Sequence, residues 1–122
     1  MPFRFKCVLM TCLLALSFCG LAEKSWIQLD PPDNPFAWGD FELAYDTART
    51  QAVFFGGLDD SFLSEATWAW DGQTWSDLTP PDGPPALYGH AMAYDSKRQE
   101  VVLFGGSPDG HSVYGETWIW SG

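Results

Sequence analysis

Two runs in the chain carry apolar side chains at odd and even positions alike: Gln51-Ala52-Val53-Phe54-Phe55-Gly56-Gly57 and Gln99-Glu100-Val101-Val102-Leu103-Phe104-Gly105-Gly106. Each predicts a strand buried on both faces. The closing glycine pair lets the backbone take a positive φ, or approach a neighbour closely, at the strand's end. About ten residues further on come Thr67-Trp68-Ala69-Trp70 and Thr117-Trp118-Ile119-Trp120, where strand alternation sends both tryptophans to one face. Upstream of the two runs, residues 38–45 and 87–94 predict a first strand. Each is followed by a polar turn, Asp46-Thr47-Ala48-Arg49 or Asp95-Ser96-Lys97-Arg98, whose leading carboxylate can cap backbone amides. Asp71-Gly72 marks a type I′ hairpin into a fourth strand over residues 74–78. The passage Pro80-Pro81-Asp82-Gly83-Pro84-Pro85 ends that strand, because proline donates nothing to a ladder. No amphipathic helix pattern interrupts the series.

These elements recur with a period of 49 residues. Trp26-Ile27-Gln28-Leu29-Asp30-Pro31-Pro32-Asp33 falls on Trp75-Ser76-Asp77-Leu78-Thr79-Pro80-Pro81-Asp82, and the match runs on to Phe55-Gly56-Gly57 over Phe104-Gly105-Gly106. Fifteen of 32 aligned positions are identical between Trp26 and Gly57 and their counterparts, and a one-residue insertion then aligns the two Thr-Trp-x-Trp segments. A period of this size points to a repeat architecture, in which each unit buries its apolar faces only against its neighbours. Four antiparallel strands followed by a crossing to the next unit describe a propeller blade. The expected fold is therefore all-β, with about two four-stranded antiparallel blades in an incomplete ring, over repeats at about 26–74 and 75–122.

Tyr94-Asp95, then Val101-Val102-Leu103-Phe104-Gly105-Gly106, then Glu116-Thr117-Trp118-Ile119-Trp120 resembles one kelch repeat, of the kind found in kelch proteins and in galactose-oxidase-like central domains. Trp75-Ser76-Asp77-Leu78 resembles the closing Trp-x-x-Leu of that repeat. On this resemblance Gly56, Gly57, Gly105, Gly106, Trp68, Trp70, Trp75, Trp118 and Trp120 are structural repeat positions. It also implies that the loops joining second to third strands form part of a ligand face. It does not select a function, since kelch propellers serve as enzymes, adhesins and binding scaffolds alike.

Composition narrows the setting. Arg4 and Lys6 precede an apolar run from Cys7 to Leu21, and Gly20-Leu21-Ala22 offers the small residues of a cleavage site, so residues 1–22 read as a secretory signal. A lipoprotein reading through Leu16-Ser17-Phe18-Cys19 is weaker, because Phe18 stands where a small residue is wanted. Cys7, Cys12 and Cys19 all lie in the leader, so residues 23–122 have no cysteine for disulfides, thiolate–zinc sites or a tyrosine–cysteine copper cofactor. Removing Arg4 and Lys6 leaves Lys24, Arg49, Lys97 and Arg98 against sixteen Asp and Glu, a net charge near −12. Such a surface repels phosphate backbones and anionic lipid, which disfavours nucleic acid and membrane partners. Protein and glycan ligands remain.

Candidate chemistry is sparse. Gly57 is followed by Leu58-Asp59-Asp60 with no lysine, which argues against a phosphate loop. Trp70-Asp71-Gly72-Gln73-Thr74-Trp75 is one residue short of a sialidase Asp box. Asp59 and Asp60 offer two carboxylates against the roughly six to eight oxygens of a calcium site, and no metal or cofactor is assigned. His90, whose counterpart is Phe41, reads as a packed, hydrogen-bonded residue. The candidate ligand-face residues are Asp59 and Asp60 in one loop, Asp109, His111 and Tyr114 in the other, and Trp38, which has Leu87 at the equivalent place and is the tryptophan expected to stack on a sugar. No catalytic triad or glycosidase carboxylate pair emerges.

Two blades cannot close a ring, which needs roughly four to eight. Residues 26–29 read as a lone fourth strand, and residues 117–120 as a third strand lacking one. The sequence thus reads as a segment of a longer propeller acting as a protein- or carbohydrate-binding module. The alternatives are part of a sugar-handling propeller enzyme of epimerase or oxidase type, or a lectin-like ring of several copies, each lending its first strand to a neighbour.

Overall fold

The computed structural model describes residues 24–35 and 39–122; the leader expected over residues 1–22 and the candidate Trp38 lie outside the described residues. Among the described residues seven strands form two antiparallel sheets. In the first, β1 (Glu42–Asp46), β2 (Gln51–Phe55), β3 (Thr67–Trp70) and β4 (Trp75–Asp77) pair in chain order. In the second, β5 (Ala91–Asp95), β6 (Glu100–Phe104) and β7 (Thr117–Trp120) do the same.

The two Asp-x-x-Arg turns are built alike, for a reason visible in the sequence. The Asp46 carboxylate accepts from the amides of Ala48 (3.0 Å) and Arg49 (3.1 Å), and Asp95 accepts from Lys97 (2.9 Å) and Arg98 (3.0 Å). Each arginine then folds back on its aspartate, at 2.9 Å and 2.8 Å. The residue leading into the next strand is left-handed in both, Thr50 at φ 54° and Gln99 at φ 60°. A short polar turn with its amides satisfied by its own first side chain fixes strand register without long-range help.

The sheets bury one face each against the other. Ala44, Val53 and Phe55 of the first sheet meet Val101, Leu103, Met92, Tyr94 and Trp120 of the second, with Leu87 filling the gap. Val53, Val101 and Leu87 are each 1% exposed. A polar seam runs beside this core. The Ala48 amide donates to the Tyr94 hydroxyl (3.1 Å), and the Arg49 guanidinium donates to the Gln99 carbonyl (3.2 Å) and to that of Ser121. Asp46, fully buried, is the pivot that holds Arg49 across the junction.

Several expectations are corrected. β2 is buried on both faces, but β6 only on one: Val101 and Leu103 are buried while Phe104 is 55% exposed, because no sheet covers its other side. Residues 26–29 form no strand; Trp26 and Ile27 stand in solvent. The first strands begin later than expected, at Glu42 and Ala91, since Gly39 and Tyr88 make only single bridges to Leu58 and Ser107. Asp71-Gly72 is not the centre of a type I′ turn. Trp70 pairs with Trp75 and the Asp71 amide donates to the Thr74 carbonyl at 3.2 Å, so the chain turns over Gly72-Gln73, with the Asp71 carboxylate capping Gln73 and Thr74 at 2.8 Å each and Gly72 at φ 103°. A side-chain cap replaces the second positive φ that a type I′ turn would need.

Gly56 shows why the glycine pair is required. Its φ is +69°, and a Cβ there would lie 2.5 Å from the Leu87 carbonyl oxygen and 2.9 Å from His90 Cε1, both in the segment that leads into β5. At Gly72, also at positive φ, a Cβ would meet nothing within 4 Å. Gly72→Ala is expected to cost about 1–2 kcal/mol of backbone strain. Gly56→Ala adds to that a forced displacement of the Leu87–His90 segment from the end of β2, so its urea midpoint should fall clearly further. Equal midpoints would refute the close-approach role.

Candidate functional site

The loops that follow the glycine pairs, residues 58–66 and 107–116, share one internal design. The Asp59 carboxylate accepts from the amides of Ser61 (2.7 Å) and Phe62 (2.6 Å); that of Asp109 accepts from His111 (2.8 Å) and Ser112 (2.6 Å). Each loop returns to its glycine pair, the Ser64 amide donating to the Gly57 carbonyl and the Tyr114 amide to that of Gly106, both at 2.9 Å. The single-residue insertion therefore falls between the glycine pair and the aspartate, around Ser107-Pro108, where the Ser107 hydroxyl accepts from the Gly110 amide at 2.8 Å. Both loops are anchored at the base, one by Gly39 and Leu87, the other by Tyr88, whose ring lies against Gly110.

This geometry sorts the candidates. Asp59 and Asp109 serve their own loops as caps, and the donors from Ser112 and His111 hold the Asp109 carboxyl below its ordinary pKa. Tyr114 is half-buried against Phe55, Leu87 and Leu103, so it belongs to the core. Asp60 and His111 are exposed; Asp60 borders a shallow recess with Gly39, Leu58 and Asp59. Among the described residues no three of His, Cys, Asp or Glu converge as a metal site would need. Sequence reasoning passed over Phe62 and Val113, which are 69% and 85% exposed at the loop tips. The available signal was a large apolar residue in an otherwise polar, self-capped loop.

His90 is packed as expected but not hydrogen-bonded. It is 3% exposed, edge-on to Phe55 with ring centroids 5.3 Å apart, and neither ring nitrogen has a partner among the described residues. Burial pushes its pKa below the ordinary 6.5, against a smaller opposing pull from the Glu42 charge and the Phe55 backbone. A buried imidazole in this setting is held neutral.

A second feature is a groove of about 240 Å³ between the sheets, beside the outer edge of β7. Val53, Phe55 and Thr67 form one wall, Leu103, Trp118 and Trp120 the other, and Pro80 and Pro84 its mouth. The Trp120 indole N–H is buried there without an acceptor among the described residues. The groove is apolar and carries no convergent acid–base pair.

No protein-family model matches the chain, and no curated protein matches it.

The titrations have a defined sign. With the folded pKa of His90 depressed, the unfolded chain binds the extra proton first, so stability is full above pH 6.5 and falls as pH drops below it. Asp46, Asp71, Asp77, Asp95 and Asp109 all lie below their ordinary value of 3.8, so their contribution is lost only as pH falls under that value. His90→Phe, which installs the residue found at the counterpart Phe41, should remove the decline in urea midpoint between pH 7 and 5 and leave the acid limb intact. A variant that keeps the upper decline would show that another group causes it.

Proposed function

We propose that the chain is a secreted segment of a kelch-type β-propeller, its two sheets being successive blades, and that it acts as a binding module for a protein or glycan through the loops at residues 58–66 and 107–116. The 49-residue repeat, the glycine-pair strands and the inner-to-outer strand order support the propeller reading. The apolar, uncharged run of residues 7–21 with its basic flank at Arg4 and Lys6 supports secretion.

The observation that carries the binding role is the pair of identically capped loops. A rigid base with a self-satisfied turn presents its tip in one conformation, which lowers the ordering cost of recognition. Asp59 and Asp109 already accept two backbone donors each, so they hold shape and do not act on a substrate. What the tips offer outward is Phe62, Val113, Asp60 and His111. Exposed apolar anchors ringed by acidic charge favour a protein partner with an apolar, basic surface over a sugar, which would want stacked rings and paired hydrogen-bonding groups.

Panning a displayed random-peptide library on the chain, in parallel with a glycan array, tests this. Peptides enriched in basic and apolar residues are expected, and Phe62→Ser with Val113→Ser should weaken them at least about tenfold. Both positions are exposed, so the fold should be retained. Peptides indifferent to the two substitutions, or sugars bound with the same indifference, would remove the loops from the function.

A further inference from the structure

The contact between the two sheets is a template for another. Its first-sheet side consists of Ala44, Val53, Phe55 and Ala69, between 1% and 7% exposed. Their repeat counterparts on the second sheet, Ala93, Val102, Phe104 and Ile119, face the opposite way, with Phe104 55% and Ile119 51% exposed. The second-sheet side of the contact includes Met92 and Tyr94, whose counterparts Leu43 and Tyr45 are 45% and 54% exposed on the outer face of the first sheet. The two outward faces thus repeat the two inward ones.

The sheet edges repeat in the same sense. β4 covers the edge of β3 with Trp68 opposite Asp77, Ala69 opposite Ser76 and Trp70 opposite Trp75. Among the described residues β7, the counterpart of β3, pairs with β6 alone. The counterpart of β4 is the segment at residues 26–28, and there Trp26 is 103% and Ile27 78% exposed. The Trp75 ring packs 5.4 Å from that of Trp70 and 6.3 Å from that of Phe54. The counterparts of those two rings, Trp120 and Leu103, line the groove between the sheets. Trp26 of another chain laid on β7 in the β3–β4 register would place its ring in that groove.

Connectivity agrees. The 49-residue repeat puts the same length of chain between Trp26 and β1 as between Trp75 and β5. A first sheet docked on the free face of a second sheet therefore brings its own N-terminal segment to the β7 edge. The polar seam would be repeated too. Arg98, with its side chain 70% exposed, corresponds to Arg49, and its acceptors would be the Thr50 and Asp71 carbonyls across the junction. Likewise the Lys97 amide would meet the Tyr45 hydroxyl, as the Ala48 amide meets that of Tyr94.

We propose that the chain associates head to tail with a second copy of itself, the first sheet of one copy packing on the outer face of the second sheet of the other, and residues 26–28 adding as a fourth strand to β7. The contact is heterologous, so it propagates until rotation closes it into a ring. It does not depend on what the loops bind.

Cross-linking of the full chain tests the register. With Cys7, Cys12 and Cys19 changed to Ser throughout, chains carrying Ile27→Cys are mixed with chains carrying Ile119→Cys and oxidised. Both sites are exposed, so neither change opens the core. A covalent dimer is expected, and none when Val113→Cys replaces Ile119→Cys. Light scattering of the parent should give a whole multiple of the chain mass, and Arg98→Glu should weaken self-association at least about tenfold by placing a carboxylate against two carbonyls. A monomer at the highest soluble concentration would overturn the proposal. So would the absence of the cross-link, or an Ile27→Cys, Ile119→Cys double variant that closes only within one chain. Self-association indifferent to Arg98→Glu would overturn it equally.

Discussion

A sheet with two apolar faces must be covered twice, and everything else in this protein follows from that constraint. Val53 and Phe55 on one face of β2, and Phe54 on the other, cannot all be buried within one layer. The second sheet covers Val53 and Phe55. Phe54 is covered by its own sheet, through Phe41 at 4.9 Å and Trp75 at 6.3 Å between ring centroids. Burying a side chain of that size stabilises by about 1.5–3 kcal/mol, so leaving Phe104 and Ile119 bare is a substantial unmet interaction.

Apolar contact alone does not fix how two sheets are rotated against each other. The polar seam does so here. Asp46 is buried at the junction, where desolvation alone would raise its pKa, yet hydrogen bonds from Arg49 and Tyr94 together with the Arg49 charge hold it down. The ionised carboxylate orients Arg49, and Arg49 reaches carbonyls that only the second sheet can supply. A charge that deep is tolerated because its partners come from both sides, and those partners exist in one relative placement of the sheets. Arg98, built identically, lacks that second layer among the described residues.

The same division of labour separates scaffold from surface. Asp59, Asp71 and Asp109 cap backbone amides and so shape the loops that carry them. Much of the acidic character that stands out in the composition is therefore local architecture. The groups left for recognition are fewer and more apolar than a count of charges suggests, with Phe62 and Val113 projecting from turns that need no partner to hold their form.

The repeat, the strand order and the Asp-x-x-Arg turns were legible in the sequence because each rests on local rules: side-chain alternation, glycine at positive φ, and an aspartate reaching amides two and three residues on. So was the grouping of Trp68 and Trp70 on one face. Other features were not. His90 was expected to find a hydrogen-bond partner and has none among the described residues, and Tyr114, a candidate for the ligand face, is half-buried with part of its side chain against the core. Asp71-Gly72 was expected as the centre of a type I′ turn, and residues 26–29 as a strand. Strand propensity specifies what a segment can pair with, but pairing itself needs an edge within reach. By itself, the sequence determined which segments pair locally and which faces are apolar, because those depend on neighbours along the chain. Only the tertiary structure decided which of two equivalent faces, edges and arginines is satisfied, because repeats alike in pattern are told apart there by what lies next to them in space.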